Sequence, residues 1–333
     1  MLLMSPPPLK RFSRHLLIKK RLQARSKVNE DAADCQGMDN AKRESDFQLF
    51  QTPRFDRPLF IVSAPRAGSS LLFNTLSHFS NLWTIGEESH ELIKGIEDLH
   101  PSAHNFNSNR LTETDATPHV SALLQKKFAR ELQDRDGRAY LDPPIEQRPG
   151  KVRFLEKTPK NALRIPFLKA IFPDALFIYL YRRPEENISS IMEGWRSRRF
   201  IAYRNLPGWP FKEWSFLLPP GWLSLQNCSL AKIAAYQWKA ANATISDDLQ
   251  TLPKSDWRLI RYSDLVRKPK ETLEQISRFS ELDWDERIEQ VVSKSLPVSK
   301  MTLSAPSPDK WRKNEGEILA ALSHWDHQRH FSE

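Results

Sequence analysis

An α/β fold, with a mainly parallel sheet flanked by helices, is what the sequence predicts. Two short continuous apolar runs, "LFIVS" (59–63) and "ALFIYLY" (175–181), have the length and composition of strands buried on both faces. Segments with helical spacing alternate with these and other strand-like runs, the pattern of parallel strands joined by right-handed helical crossovers. The candidate functional residues fall where strands give way to helices, the edge at which such sheets collect ligands.

The elements follow in order. After the strand at 59–63, apolar positions at Leu71, Leu72, Leu76 and Phe79 predict a helix over Ser69–Phe79. A second helix is expected near 119–135, then a strand at "VRFLEK" (152–157). "PKNALRIPFLKAIFP" reads as one helix stopping before Pro173. The strand at 175–181 is followed by Pro184, suited to the first turn of another helix. A long helix near 229–250, the strand "WRLIRY" (257–262), and helices near 269–281 and 285–294 complete the series. Residues 195–228 break the rhythm, being dense in Trp, Pro and Arg. A segment of that kind is either a lid lining an acceptor pocket or irregular chain packing its aromatics on the core.

At 333 residues and 39% hydrophobic, the chain can bury one large core, or at most two. Residues 1–50 read as a basic, disordered tail, and 51–333 as the folded domain, beginning near Arg57. The formal net charge of +9 suits an anionic partner, although part of the excess sits in the tail. No signature of nucleic-acid binding and no apolar run of membrane-spanning length is present. The basic N-terminus lacks a secretory pattern, and two cysteines, Cys35 and Cys228, are too few for a disulfide framework. A cytoplasmic location is therefore expected.

"PLFIVSAPRAGSSLL" (58–72) has the layout of a phosphate-binding loop, which makes the sheet P-loop-like. Gly68 permits close backbone approach, Ser69 and Ser70 open a helix whose N–H groups favour anions, and Arg66 adds a fork for phosphate. An ordinary strand-to-helix turn would look similar. The triphosphate pattern Gly-x4-Gly-Lys-Ser/Thr fails twice, with Ser63 at the first glycine and Ser69 at the lysine. A magnesium-dependent enzyme also needs a carboxylate at a neighbouring strand end. The strand at 175–181 ends instead in Arg182 and Arg183. This pair of sites suits two phosphate groups gripped without metal.

These residues resemble the sulfotransferases that use 3′-phosphoadenosine 5′-phosphosulfate (PAPS). "APRAGSSLL" resembles that family's 5′-phosphosulfate loop, and "YRRPEENISSIM" its 3′-phosphate segment, an Arg and a Ser eight positions apart. "FLEKTP" (154–159), "RYSDLVRKP" (261–269) and "DKWRKN" (309–314) resemble segments of the branch typified by carbohydrate and tyrosyl-protein sulfotransferases. Together they span roughly residues 57–314 in the family's order. The resemblance implies a single sulfotransferase domain moving a sulfuryl group to a hydroxyl, or an amine, of a small-molecule acceptor, and leaving 3′-phosphoadenosine 5′-phosphate (PAP). It implies a cofactor cradle of Arg66, Ala67, Gly68, Ser69, Ser70 and Leu71. Arg182 and Ser190 match the 3′-phosphate pair, with Ser189 as neighbour and Arg183 assisting, while Lys310 and Arg312 would close over the phosphates. Lys157 would stabilise developing negative charge, with Arg66 beside it.

Glu87 and Glu88 in "TIGEESHEL" (84–92) resemble the Gly-Glu-Glu segment whose second glutamate is the general base. Glu88 is the first choice, Glu87 the reserve and His90 the minor option. Two further signals have simpler explanations. His324, His327 and His330 share a helical spacing but suit a solvated face better than a metal site. Glu185 and Glu186 complement the dipole at a helix start. Sequons at Asn187 and Asn242 carry no weight without secretion. The competing functions are a kinase or nucleotide hydrolase, and a basic protein binding nucleic acid or a membrane surface. The oligomeric state stays open, a homodimer included.

Overall fold

The computed structural model describes residues 52–323. The expected tail, Cys35 and the three C-terminal histidines therefore lie outside the described residues. Five strand pairings build a six-stranded sheet, and every one is parallel. Strand β2 (Leu59–Val62) lies between β4 (Lys151–Lys157) and β5 (Leu176–Tyr181), and β8 (Trp257–Arg261) pairs the far side of β5. The short strands β1 (Arg54–Phe55) and β3 (Leu82–Trp83) both pair with β4. The fold includes chain ahead of Arg57, because β1 buries Phe55 against Phe154 and Phe172.

All four residues of β2 are buried, which is why the run carries no polar alternation. On one face Phe60 packs with Phe154, Phe172 and Phe177. On the other, Leu59 and Ile61 join Leu72, Leu76, Leu155 and Ile178 in the main core. Truncating Phe60 to Ala should cost about 3–5 kcal/mol.

Helices flank this sheet. Helix α1 (Ser69–Leu76) follows β2, the short α2 (His90–Lys94) follows β3, and α3 (Pro118–Glu131) leads towards β4. Next come α4 (Ile165–Ile171), α5 (Pro184–Ser197) and the long α6 (Leu230–Gln250). After β8 lie α7 (Tyr262–Arg267), α8 (Pro269–Ser280), α9 (Glu286–Val292) and α10 (Glu315–Leu322).

Three expectations need correction. The single helix at 159–173 is a 3₁₀ turn (Pro159–Leu163) followed by α4, broken at Arg164. Pro166 has no N–H for a helix interior, so the helix restarts with proline in its first turn. Helix α3 stops at Glu131, because Gln133 exchanges backbone hydrogen bonds with Thr84. The Trp-rich segment is ordered: β6 (Ile201–Arg204) and β7 (Glu213–Ser215) form an antiparallel hairpin with a register shift near Tyr203. Its tryptophans pack on one another, Trp214 lying 4.8 Å from Trp209, 5.3 Å from Trp222 and 5.2 Å from Trp195. They form a satellite core with Leu206, Leu218, Leu225 and Ile233.

Among the described residues, no helix is long and apolar enough to cross a membrane. Asn187 and Asn242 are buried, donating to Pro65 O and Trp238 O respectively, so packing accounts for both.

Candidate active site

Parallel strands end together, so β2, β4, β5 and β8 deliver the residues that follow them to one edge. A cavity of ≈ 680 Å³ lies there, lined by Arg66, Gly68–Leu71, Glu88, His90, Lys160, Arg182 and Ser190, among others. The loop after β2 turns through Arg66 (φ 64°) and Gly68 (φ 103°), both left-handed, before α1 begins. The glycine is required twice over. Its φ is unfavourable for other residues, and a Cβ there would meet the Tyr262 ring at 2.4 Å. Ala67 lies beneath the turn, fully buried, with its N–H donated to Ala64 O. The first N–H groups of α1 have no intrahelical acceptor and lie at this turn.

Three cations stand on one side of the loop. Arg66 lies over the Phe200 ring at 4.6 Å and donates through Nη1 to Met301 O, while its Nε is buried without a partner. Burial lowers the pKa of this guanidinium. Arg182 lies over the Tyr262 ring at 4.5 Å and donates to Arg66 O and to Glu186. Lys310 pairs with Glu193 of α5 at 2.9 Å. Ser189 and Ser190 both line the cavity, Ser189 Oγ accepting from Asn314.

On the other side of the loop, the Lys157 ammonium donates to Ser70 Oγ at 3.2 Å and pairs with Glu88. The second Glu88 oxygen faces His90 Nε2 at 2.6 Å. A buried network sets this arrangement. Glu156 is fully buried, and its carboxylate accepts from Thr158 Oγ1 and Asn161 Nδ2. Thr158 Oγ1 in turn accepts from the Ser89 N–H at 2.8 Å, holding the residue next to Glu88. The Glu and Thr of "EKTP" thus pin the loop that presents Glu88, and its Lys reaches the carboxylate. Burial raises the Glu156 carboxyl pKa. At Glu88 burial acts upwards too, but the His90 hydrogen bond and the Lys157 charge outweigh it and hold the carboxyl at about 2. Burial lowers the His90 imidazole below its usual value against the pull of Glu88.

Several expected residues stand elsewhere. Glu87 is exposed and outside the cavity lining. Arg183 turns outward beside Glu185, 3.8 Å away, so the strand end presents one cation to the cavity rather than two. Arg312 is also outside the lining and pairs with Asp309 and Glu315 along its own turn. The tryptophans of the 195–228 segment do not line this cavity; Phe200, Ile201, Ala202, Phe216 and Leu217 of that segment do. Sequence reasoning missed Tyr262, Glu193, Lys160 and the chain over 295–307, which forms another wall. Tyr262 carried a usable signal, since it immediately follows β8. Among the described residues, no group of three or more His, Cys, Asp or Glu is placed to hold a metal ion.

The chain is 22% identical over 274 residues to an uncharacterized protein of Aquifex aeolicus (strain VF5), covering 80% of this chain and 32% of that one. It is 21% identical over 252 residues to protein-tyrosine sulfotransferase A of Caenorhabditis elegans, covering 74% and 56%. The chain thus spans about a third and just over half of these two relatives. The solved sulfotransferase domain of the Synechococcus PCC 7002 olefin synthase is 22% identical, with a TM-score of 0.42, covering 83% of this chain and 98% of that domain. The model of the sulfotransferase family matches residues 58–286, well over half of the sequence, and the chain belongs to that family.

Proposed function

We propose that this protein transfers a sulfuryl group from PAPS to a hydroxyl, or an amine, of a small acceptor. The observation that carries the reading is Lys157, whose ammonium reaches both Ser70 of the loop and the candidate base Glu88. Loop, cation and base meet there at one point.

The residues present fit a ligand with two anionic ends. Arg66 holds a buried Nε without a partner, and Gly68 leaves room that a Cβ would fill against Tyr262. Arg66, Gly68, Ser69, Ser70 and Leu71 would hold the 5′-phosphosulfate, with Ala67 supporting the turn. Arg182 and Ser190, or its neighbour Ser189, would hold the 3′-phosphate. Lys310 faces the cavity for the same ligand, whereas Arg312 reaches it only if its segment moves. When bound, PAPS supplies an activated sulfuryl group on a phosphate leaving group.

Glu88 accepts the proton from the acceptor hydroxyl as its oxygen attacks. A carboxylate held at about 2 is ionised at neutral pH but is a weak base. Its strength rises when Lys157 turns from Glu88 towards the charge developing on the leaving oxygen. His90 is neutral at pH 7 and donates through Nε2 to Glu88, while its Nδ1 is buried without a partner. That arrangement suits a residue orienting the base rather than serving as one. Glu87, exposed and off the cavity, has no part in the transfer.

Sulfated products from labelled PAPS and a panel of alcohols, phenols and amines test the reading, with calorimetry of PAP alongside. The worm relative's name makes tyrosine peptides one useful member of the panel. Labelled product and PAP binding are expected; the absence of both overturns the proposal. A strand end occupied by Arg182 also predicts turnover unchanged by EDTA. Strict magnesium dependence would favour a kinase or hydrolase instead.

A further inference from the structure

The acceptor end of the cavity contains a lysine that no carboxylate among the described residues pairs with. Lys160 lies in the 3₁₀ turn that follows β4, is 8% exposed, and lines the cavity. Its ammonium rests 4.6 Å above the Tyr203 ring of β6. Among the described residues, no carboxylate oxygen comes within 4 Å of it. The neighbouring lysines are all paired: Lys94 with Glu91 at 2.7 Å, Lys157 with Glu88, and Lys310 with Glu193.

The surroundings add to the positive charge. Arg164 is buried four residues on, its Nη1 unpartnered, its Nε donating to Asn109 O at 3.3 Å. Arg164 and Lys94 disfavour the Lys160 cation, Glu91 and Glu88 favour it from beyond contact distance, and burial is the largest influence, holding the ammonium at about 7. Removing an unpaired cation from water costs several kcal/mol, and a cation–π contact offsets only about 0.5–2 kcal/mol of that. A residue kept at such a cost, facing a cavity, points to a ligand.

The same wall is tied to an apolar surface. Asn109 donates to Tyr203 OH at 2.5 Å and accepts from the Leu218 N–H at 2.6 Å, fixing the segment that carries the ring beneath Lys160. That segment turns Ile201, Ala202 and Leu217 to the cavity, along with Phe200 and Phe216, which stack on each other beside Arg66. We infer that Lys160 recognises a carboxylate on the acceptor, which is a hydroxyl compound with an apolar body and one anionic end. This rests on the assignment of the Glu88 end of the cavity to the acceptor. A single ammonium is a point charge and matches one monovalent carboxylate.

Matched probes test this: 4-hydroxyphenylacetate against 4-hydroxyphenylacetamide, and 12-hydroxydodecanoate against its amide. Binding is measured by calorimetry, with and without PAP, to wild type, Lys160→Met and Lys160→Arg. The carboxylate of at least one pair should bind wild type about tenfold or more tightly than its amide. That preference should vanish in Lys160→Met and persist in Lys160→Arg, with PAP affinity unchanged in both variants. Equal binding within both pairs, silence included, overturns the inference, as does a preference that survives in Lys160→Met. Failure of wild type to bind PAP would instead count against the donor assignment, because the carboxylate preference is read independently of it.

Discussion

The two ends of the cavity hold their cations in opposite ways. At the loop end, Arg66, Arg182 and Lys310 each donate to a carbonyl or carboxylate of the protein, so their positions are set by hydrogen bonds. At the far end, Lys160 rests on an aromatic ring, and no carboxylate among the described residues stands beside it. Between them, Lys157 and Glu88 neutralise each other. The difference teaches that compensated charge organises a site while uncompensated charge advertises for a ligand. The loop end is arranged in advance, and the Lys160 end gains its partner on binding.

Breaking the junction between the two ends should have the largest effect. Glu88→Gln keeps the shape but removes the proposed base, and turnover should fall by about 10²–10⁴ with PAP affinity changed less than about threefold. Steady-state rates and calorimetry on one preparation decide this; retained turnover would transfer the role to His90. Lys157→Ala should follow, losing about 10²–10³ in turnover as charge stabilisation goes.

The loop end is sharpened next by Gly68→Ala. The left-handed φ and the Tyr262 contact should destabilise the fold by about 1–3 kcal/mol, seen as a lower urea midpoint, and weaken PAP binding. At the other end the sign reverses. Lys160→Met should raise stability by about 1 kcal/mol at pH 6, because an unpaired buried cation is removed. The linkage gives the pH window. A lysine at about 7 in the fold and near 10.5 unfolded binds fewer protons when folded between those values. The cost is full below pH 7 and relieved as pH rises towards 10.5, so the advantage of Lys160→Met should shrink over that range. Glu88 behaves in the opposite direction. Depressed to about 2, it contributes stability present above pH 4.5 and lost as pH falls through 2. The smallest effects belong to Arg183→Ala and Arg312→Ala, whose side chains lie outside the cavity lining; PAP affinity should stay within about twofold in both.

Most of the fold was legible because its signals are local. Residues of β2 and β5 are adjacent in sequence and buried on both faces, so their apolar runs announce them. Helical spacing likewise marked α1, and Pro184 marked the start of α5. The hairpin β6–β7 escaped because its register shift breaks alternation and its tryptophans satisfy one another off the main core. Within the site, Gly68, Lys157 and Arg182 could be found because each belongs to a short segment at a strand end, where chain order and spatial order agree.

By itself the sequence determined the parallel α/β framework, the phosphate-type loop at its edge and the family resemblance, since all three are written in residues a few positions apart. The tertiary structure decided which charges face the cavity. It turned Arg182 inward and Arg183 outward, set Glu88 rather than Glu87 against Lys157, and left Lys160 over Tyr203 with no counter-ion among the described residues. Those outcomes depend on which distant segments pack together. Glu88 and Lys157, 69 positions apart, meet only because β4 ends where the Thr158–Ser89 hydrogen bond holds the other loop in place.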